Sequence, residues 1–144
     1  MSTIAVGDIV AVLKPGVVTR TTLALFAGAS GDHNPIHIDL DSARASGIDD
    51  VFAHGMLSMA YLGRLLTDTF PQSSIRELSA RFTAITPVLA EPELTATVTE
   101  FTTVDGEQRA VLDLDVTLDD GTRTLAGTAV VAWSEQREAA TLGP

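Results

Sequence analysis

The chain of 144 residues contains no cysteine. This absence excludes disulfides, thiolate metal sites and a cysteine nucleophile. A protein without cysteine suits a reducing compartment, and we expect this one to act in the cytoplasm.

Positive charge is scarce, because 9 Lys and Arg residues stand against 19 Asp and Glu residues, a formal net charge of −10 at pH 7. Without a basic stripe to neutralise phosphates, nucleic acid is not an expected partner. Arg64, Arg76 and Arg81 are candidates to contact the phosphates of an anionic ligand, although a solvated surface is the commoner place for such side chains.

Long apolar runs are also missing. No uncharged stretch approaches the ~18 residues that span a bilayer. Residues 1–14 have neither a basic n-region nor a sustained apolar h-region, so we expect no signal peptide and no membrane contact. Without repeats or a composition break, residues 1–144 are expected to form one domain.

Helical spacing predicts three helices. In "TRTTLALFAGAS" (19–30) apolar residues recur on one face, a threonine can cap the start, and Gly31 can end the helix in a left-handed conformation. "LDSARASG" (40–47) is typical of a short helix with an Asp cap and a Gly stop. "HGMLSMAYLGRLLTDTF" (54–70) is apolar around most of its circumference, which predicts burial nearly all round, with only Ser58, Arg64, Thr67 and Asp68 at a polar edge.

A period of two predicts strands in "DIVAVL" (8–13) and in several segments after residue 75. Apolar residues alternate with polar ones in "ELTATVT", "QRAVLDLDVTL" and "RTLAGTAVVAW", and Asp-Gly turn signals separate these runs. The order of elements predicts an α+β fold, with an antiparallel sheet curled around one apolar helix. A half-exposed sheet often covers an edge by pairing, so we expect a dimer.

The stretch "GDHNPIHID" (31–39) holds the first candidate chemistry. Pro35 prevents a continuous helix, so a turn can bring the carboxylate of Asp32 and the imidazole of His37 to one spot. Such a pair can hold a water and exchange protons with it. Alternatively, Asp-x-Asn-Pro is only a turn, with Asn34 bracing the loop through side-chain-to-backbone bonds.

The stretch "AHGM" (53–56) puts His54 and Gly55 at the start of the predicted long helix. The first turn of a helix has unpaired N–H groups and a partial positive charge, and glycine lets a ligand carbonyl approach the backbone. The Gly55 N–H is therefore a candidate oxyanion donor. A purely structural interpretation has Gly55 allowing close packing and His54 acting either as a cap or as support behind the reacting groups.

The two motifs together resemble the MaoC-like hydratase/dehydratase family, whose pattern is D-x-N-P-x-H followed after a spacer by H-G-M. The chain matches the first at Asp32, Asn34, Pro35 and His37, and the second from His54 to Met56. It is similar to the (R)-specific enoyl-CoA hydratases and the β-hydroxyacyl-ACP dehydratases, and the "VGD" near the start, "RFTAITPV" and the closing strands fit too.

The resemblance implies a hotdog fold and reversible hydration of trans-2-enoyl thioesters to (R)-3-hydroxyacyl thioesters. Asp32 and His37 would activate the water, and the Gly55 N–H would polarise the thioester carbonyl. Apart from the resemblance, the positions of Asn34 and His54 make them candidates to support these groups from behind. Some hydratases carry a serine where this chain has Gly63, and Ser58, one turn from Gly55, is a candidate substitute in substrate binding.

No cofactor or metal is expected, because the substrate arrives as a CoA or acyl-carrier-protein thioester and Pro35 breaks the helix that would align His33 with His37 on a metal. The expected partners are this thioester and a second hotdog subunit, identical or related. Two alternatives to a hydratase remain: a non-catalytic subunit that binds acyl chains for a catalytic partner, and a hotdog thioesterase. The first is expected to lack the Asp or the His, and the second usually places its carboxylates differently.

Overall fold

The structure, a computed structural model, describes residues 4–134. All the predicted helices and strands are present in these residues. The strands are β1 (Ile9–Leu13), β2 (Ile75–Phe82), β3 (Glu93–Val104), β4 (Glu107–Thr117) and β5 (Arg123–Ala132), the α-helices are α1 (Arg20–Ser30), α2 (Leu40–Ala45) and α3 (Gly55–Thr69), and two 3-10 helices span Pro35–His37 and Gln72–Ser74. The predicted single domain includes residues 1–3 and 135–144, which lie outside the described part of the chain.

The five strands form one antiparallel sheet in the order β1-β3-β4-β5-β2. The Asp-Gly signal between β3 and β4 acts as predicted. Asp105 and Gly106 both have positive φ, 51° and 79°, which is the conformation of a type I′ hairpin turn. The inward positions of β4 are fully buried, and they comprise Ala110, Leu112, Leu114 and Val116.

Strand β2 pairs with β5 and not with its neighbour in sequence, β3. Gly127 of β5 permits this pairing, because a Cβ atom built on it would lie 2.6 Å from the carbonyl oxygen of Ser79. Glycine in a strand often marks such a close approach of two backbones. Strands β1 and β2 are therefore the two edges of the sheet.

The caps of α1 and α2 follow the predicted chemistry. The hydroxyl of Thr19 accepts a hydrogen bond from the N–H of Thr22 at 3.1 Å, and Gly31 ends α1 with a φ of 76°. The carboxylate of Asp39 accepts from the N–H of Asp41 at 3.1 Å, and Gly47 follows α2 with a φ of 82°. These caps fix where the segment between the two helices begins and ends.

Helix α3 packs its C-terminal half against the inner face of the sheet. Leu62, Leu65 and Leu66 are almost fully buried and form one cluster with the inward side chains of the sheet. Removal of this apolar surface from water is the main force that holds the helix on the sheet.

The predicted burial of α3 nearly all round is wrong. Met56 is 58% exposed, and with the exposed residues Ala60, Arg64 and Thr67 it forms a stripe at helical spacing. Ser58 departs from its prediction in the opposite direction. It is buried and not at the polar edge, and its hydroxyl lies 3.5 Å from that of Thr86.

An antiparallel sheet with a long helix against one face is the α+β hotdog arrangement that the resemblance implied. In residues 4–134 every helix is too short or too polar to cross a membrane.

Candidate active site

A second, smaller apolar cluster holds α1 and α2 against the first turns of α3. Its buried members are Val18, Leu23, Ala43, Val51, Ala53 and Leu57. The cluster brings the segment between α1 and α2 next to the N-terminus of α3. The two sequence motifs, about twenty residues apart in the chain, therefore meet in space.

The segment 31–37 is a succession of short turns. The Asp32 carboxylate accepts from the N–H of Asn34 at 3.2 Å, and the Asn34 side-chain oxygen accepts from the N–H of Ile36 at 3.3 Å. The 3-10 helix that begins at Pro35 then turns His37 inward, where it is buried, while Asp32 stays exposed. The Asx turns thus position the candidate pair.

The His37 ring is held by the backbone of Phe52. Its Nδ1 lies 2.8 Å from the Phe52 carbonyl oxygen, and the two rings meet edge to face at 4.8 Å. Because a carbonyl oxygen only accepts, Nδ1 carries the proton. In the neutral ring Nε2 is then an unprotonated base.

A carboxylate oxygen of Asp32 and one ring nitrogen each of His37 and His54 all lie within 4.8 Å of one another. Two groups that each bond one water at ~2.8 Å in tetrahedral directions stand about 4.6 Å apart. The spacing of Asp32 and His37 is thus compatible with a water shared between them.

Burial lowers the pKa of His37 below its ordinary value, and the nearby His54 lowers it further. The hydrogen bond to Phe52 and the Asp32 carboxylate act in the opposite direction without reversing the shift. His37 is therefore neutral near pH 7, as a proton acceptor must be.

His54 occupies the N-cap position of α3, but its side chain makes no capping hydrogen bond. Its Nε2 instead lies 3.1 Å from the backbone carbonyl oxygen of Asp32. Of the two roles left open for His54, the cap is thus not the one in the structure.

Gly55 is the first residue of α3, so its N–H has no acceptor within the helix. The residue is exposed, and the ring of Phe82 lies against it. A Cβ atom built on Gly55 would lie 3.1 Å from Cε1 and 3.2 Å from Cδ1 of that ring. Only glycine leaves this position open without displacing Phe82.

A cavity of about 320 Å³ lies beside Gly55 between α3 and the segment after β2. Ser58 and Thr86 contribute its buried hydroxyls, while most of the other walls are apolar. Its lining residues include Phe52, Ala53, Phe82, Ile85 and Leu125. Gly63 is not among them, and a Cβ built on it would contact nothing within 4 Å.

The group of Asp32, His37 and His54 also has the composition of a metal site. The two imidazole rings, however, lie 4.0 Å apart with only 30° between their planes. Metal ligation uses lone pairs in the ring plane, so rings stacked in this way do not converge on one tetrahedral ion. The fit is poor, and the expectation of no metal stays a prediction. His33 is exposed.

The arginines named from sequence differ in their surroundings. Arg64 pairs with Asp68 at 3.2 Å, and Arg76 with Glu107 at 2.5 Å. Arg81 forms no ion pair within residues 4–134, which leaves its charge available to an anion.

Sequence reasoning missed three contributors to the site: the Phe52 carbonyl, the Phe82 ring and the Thr86 hydroxyl. A backbone carbonyl carries no residue-type signal, so its partner could not be found. Phe82 and Thr86 lie within "RFTAITPV", which fits the family, but nothing in that string indicates which side chains face Gly55 or Ser58.

Comparisons with known proteins agree with this architecture. Residues 4–121 match the family model described as a MaoC like domain. A UPF0336 protein of Clavibacter michiganensis is 30% identical over 133 residues, 86% of this chain and 88% of that protein. An (R)-specific enoyl-CoA hydratase of Rhodospirillum rubrum is 32% identical over 82 residues, 57% of each chain. The structure of the R-hydratase PhaJ1 from Pseudomonas aeruginosa superposes with a TM-score of 0.78 at 26% identity, covering 92% of this chain and 84% of that one.

Proposed function

Because the chain belongs to the MaoC-like domain family, we propose that it is a hydro-lyase that reversibly adds water to trans-2-enoyl thioesters and forms (R)-3-hydroxyacyl thioesters. The observation that carries this proposal is the approach of an Asp32 carboxylate oxygen and a His37 ring nitrogen to within 4.8 Å, beside a helix that begins at Gly55.

Asp32 and His37 hold the reacting water in this proposal. His37, neutral and with Nε2 unprotonated, takes a proton as the water oxygen bonds to C3 of the substrate. The electrons of the double bond move toward the thioester oxygen, and a proton delivered from the pair to C2 completes the addition. Each atom of water ends on the product, so no oxidant or reductant is needed.

The Gly55 N–H stabilises the charge that develops on the thioester oxygen. A helix start contributes an unpaired donor and a partial positive charge, and such donors each contribute roughly 2.7–4 kcal/mol to lowering a barrier. A Cβ atom at position 55 would press on the Phe82 ring. The absence of a side chain at Gly55 therefore supports a direct approach of the substrate carbonyl.

The cavity beside Gly55 is proposed to receive the acyl group. Its mostly apolar lining suits an alkyl chain. Ser58, buried on the cavity wall and close to Thr86, is proposed as a substrate contact and not as a proton donor.

The thioester is carried by CoA or acyl carrier protein, and both carriers are anionic. A second hotdog subunit, identical or related, is proposed to cover the mouth of the cavity. Phe82 and Ile85, which line the cavity, and Met56, the residue after Gly55, are each more than half exposed. Apolar side chains concentrated at one place are typical of a protein interface. The cytoplasm is the proposed location.

The test is an assay of the purified chain with crotonyl-CoA, following loss of the enoyl absorbance and release of free thiol in parallel. Hydration without thiol release supports the proposal, and chiral chromatography of the product checks for the (R) configuration. Thiol release would identify a thioesterase. Neither signal from the chain alone, with both short and long enoyl-CoA, would support the non-catalytic subunit. The variant Asp32→Ala is the matched control for contaminating hydratase.

A further inference from the structure

We infer that His54 is a positioning residue, which fixes the Asp32 backbone and the plane of the His37 ring without touching the substrate. The inference rests on the proposed function in taking Asp32 and His37 as the groups that hold the water. It assigns a specific task to the histidine that precedes the oxyanion glycine.

The first support is the hydrogen bond from His54 to Asp32. Asp32 is exposed and lies in a segment without regular structure, and its other hydrogen bonds reach no further than Ser30 and Asn34. Within residues 4–134, the bond from His54 Nε2 at 3.1 Å is the one that ties Asp32 to a distant part of the chain. It links the acid to the residue immediately before Gly55.

The second support is the packing of the His54 ring between two others. Its centroid lies 4.0 Å from that of His37 and 5.0 Å from that of Phe26. The ring is 1% exposed, so it cannot reach a substrate. Contact with His54 limits the tilt of the His37 ring, which Phe52 holds through its carbonyl oxygen and the edge of its own ring.

The contacts of His54 identify which ring nitrogen donates a hydrogen bond. Nε2 must carry a proton to donate to the Asp32 carbonyl, and Nδ1 is buried without a hydrogen-bond partner in the described residues. Nε2 is therefore the hydrogen-bond donor of the ring toward Asp32. A donor at this one atom is what the site requires.

Three substitutions distinguish a hydrogen-bonding role of His54 from a role in which its ring only fills space. His54→Gln keeps an N–H donor, because its amide nitrogen lies the same number of bonds from the backbone as Nε2 of histidine. His54→Asn carries the same amide one bond short of that reach. His54→Phe keeps a buried ring of similar shape and removes the donor.

The first measurement is amide hydrogen exchange of residues 32–39, which does not depend on activity. We expect faster exchange there in His54→Asn and His54→Phe, and near-parental exchange in His54→Gln. Circular dichroism and Tm verify the fold, and if His54→Phe does not fold, the comparison of Gln with Asn decides alone. Equal exchange in all variants, or equal increases in Gln and Asn, would overturn the inference.

The second measurement is hydration of crotonyl-CoA. A reacting group misplaced by about 1 Å can cost ~100-fold in rate. We therefore expect a loss of that order in the kcat of His54→Asn, with KM little changed. In His54→Gln most of the parental kcat should be retained. An equal loss of kcat in His54→Gln and His54→Asn, or a parental kcat in His54→Asn, counts against the inference. If the parent chain hydrates no enoyl thioester, the proposed function fails while the exchange result still decides the task of His54.

Discussion

The Nδ1 atom of His37 lies 2.8 Å from the carbonyl oxygen of Phe52, and this bond decides which nitrogen of the ring is the base. Because the carbonyl accepts the Nδ1 proton, the lone pair of the neutral ring is on Nε2. The tautomer is therefore set by a backbone group fifteen residues away, on the segment that leads into α3.

The pH profile of hydration should reflect the lowered pKa of His37. Its ordinary value is 6.5, and burial moves it downward. A base works when unprotonated, so activity should persist as the pH falls through 6.5 and decline only below it. The measurement is kcat/KM between about pH 5 and 8, with Tm at each pH as the control for unfolding. An acid limb at or above 6.5 would show that burial does not shift this base.

Gly55→Ala should reduce activity without reducing stability. The added Cβ would lie 3.1 Å from the Phe82 ring, which must then shift at the mouth of the cavity. Both Gly55 and Phe82 are exposed, so the ring can shift without disturbing the core and Tm should stay close to the parental value. We expect a loss of ~10-fold or more in kcat/KM for crotonyl-CoA, as for a weakened oxyanion donor.

The double variant Gly55→Ala/Phe82→Ala is the control for this contact. If the loss arises because the methyl group displaces the ring, Gly55→Ala should cost less activity in the Phe82→Ala background than it costs in the parent chain. A Gly55→Ala enzyme with parental kcat/KM would mean that the substrate carbonyl does not approach this amide.

Gly63→Ala should stabilise the protein. Gly63 lies in the middle of α3, and a Cβ built on it contacts nothing within 4 Å. Replacement of an interior helix glycine by alanine gains ~0.5–1 kcal/mol, a rise in Tm of about 2–4 °C per kcal/mol for a chain of this size. Calorimetry tests the shift, and kcat should stay parental because Gly63 does not line the cavity. A lower Tm would indicate that a second subunit packs against this position.

Local chemistry made most of the fold predictable from the sequence. The caps at Thr19 and Gly31 and the turn at Asp105 and Gly106 depend on residues near in the chain. The alternation in β4 likewise identified its buried face. The pairing of β2 with β5 was not predictable, since it depends on a long crossover and on close backbone contact at Gly127.

The proximity of the candidate residues was predictable from the sequence, but the groups that support them were not. The proline-bent segment around Asp32 and His37 indicated that the two side chains converge. A carboxylate oxygen of Asp32 and a ring nitrogen of His37 lie within 4.8 Å of each other. The burial of Ser58 was missed, because its partner Thr86 is 28 residues further along the chain. Distances of that kind arise from tertiary packing, which periodicity in one helix does not encode.

The most direct test of the central claim is the turnover of crotonyl-CoA by Asp32→Ala and His37→Ala, each compared with the parent chain. Acid–base groups of this kind contribute ~100-fold or more, so we predict at least that loss of kcat in each variant, with circular dichroism and Tm close to those of the parent. Near-parental turnover by either variant would contradict the assignment of the water to this pair.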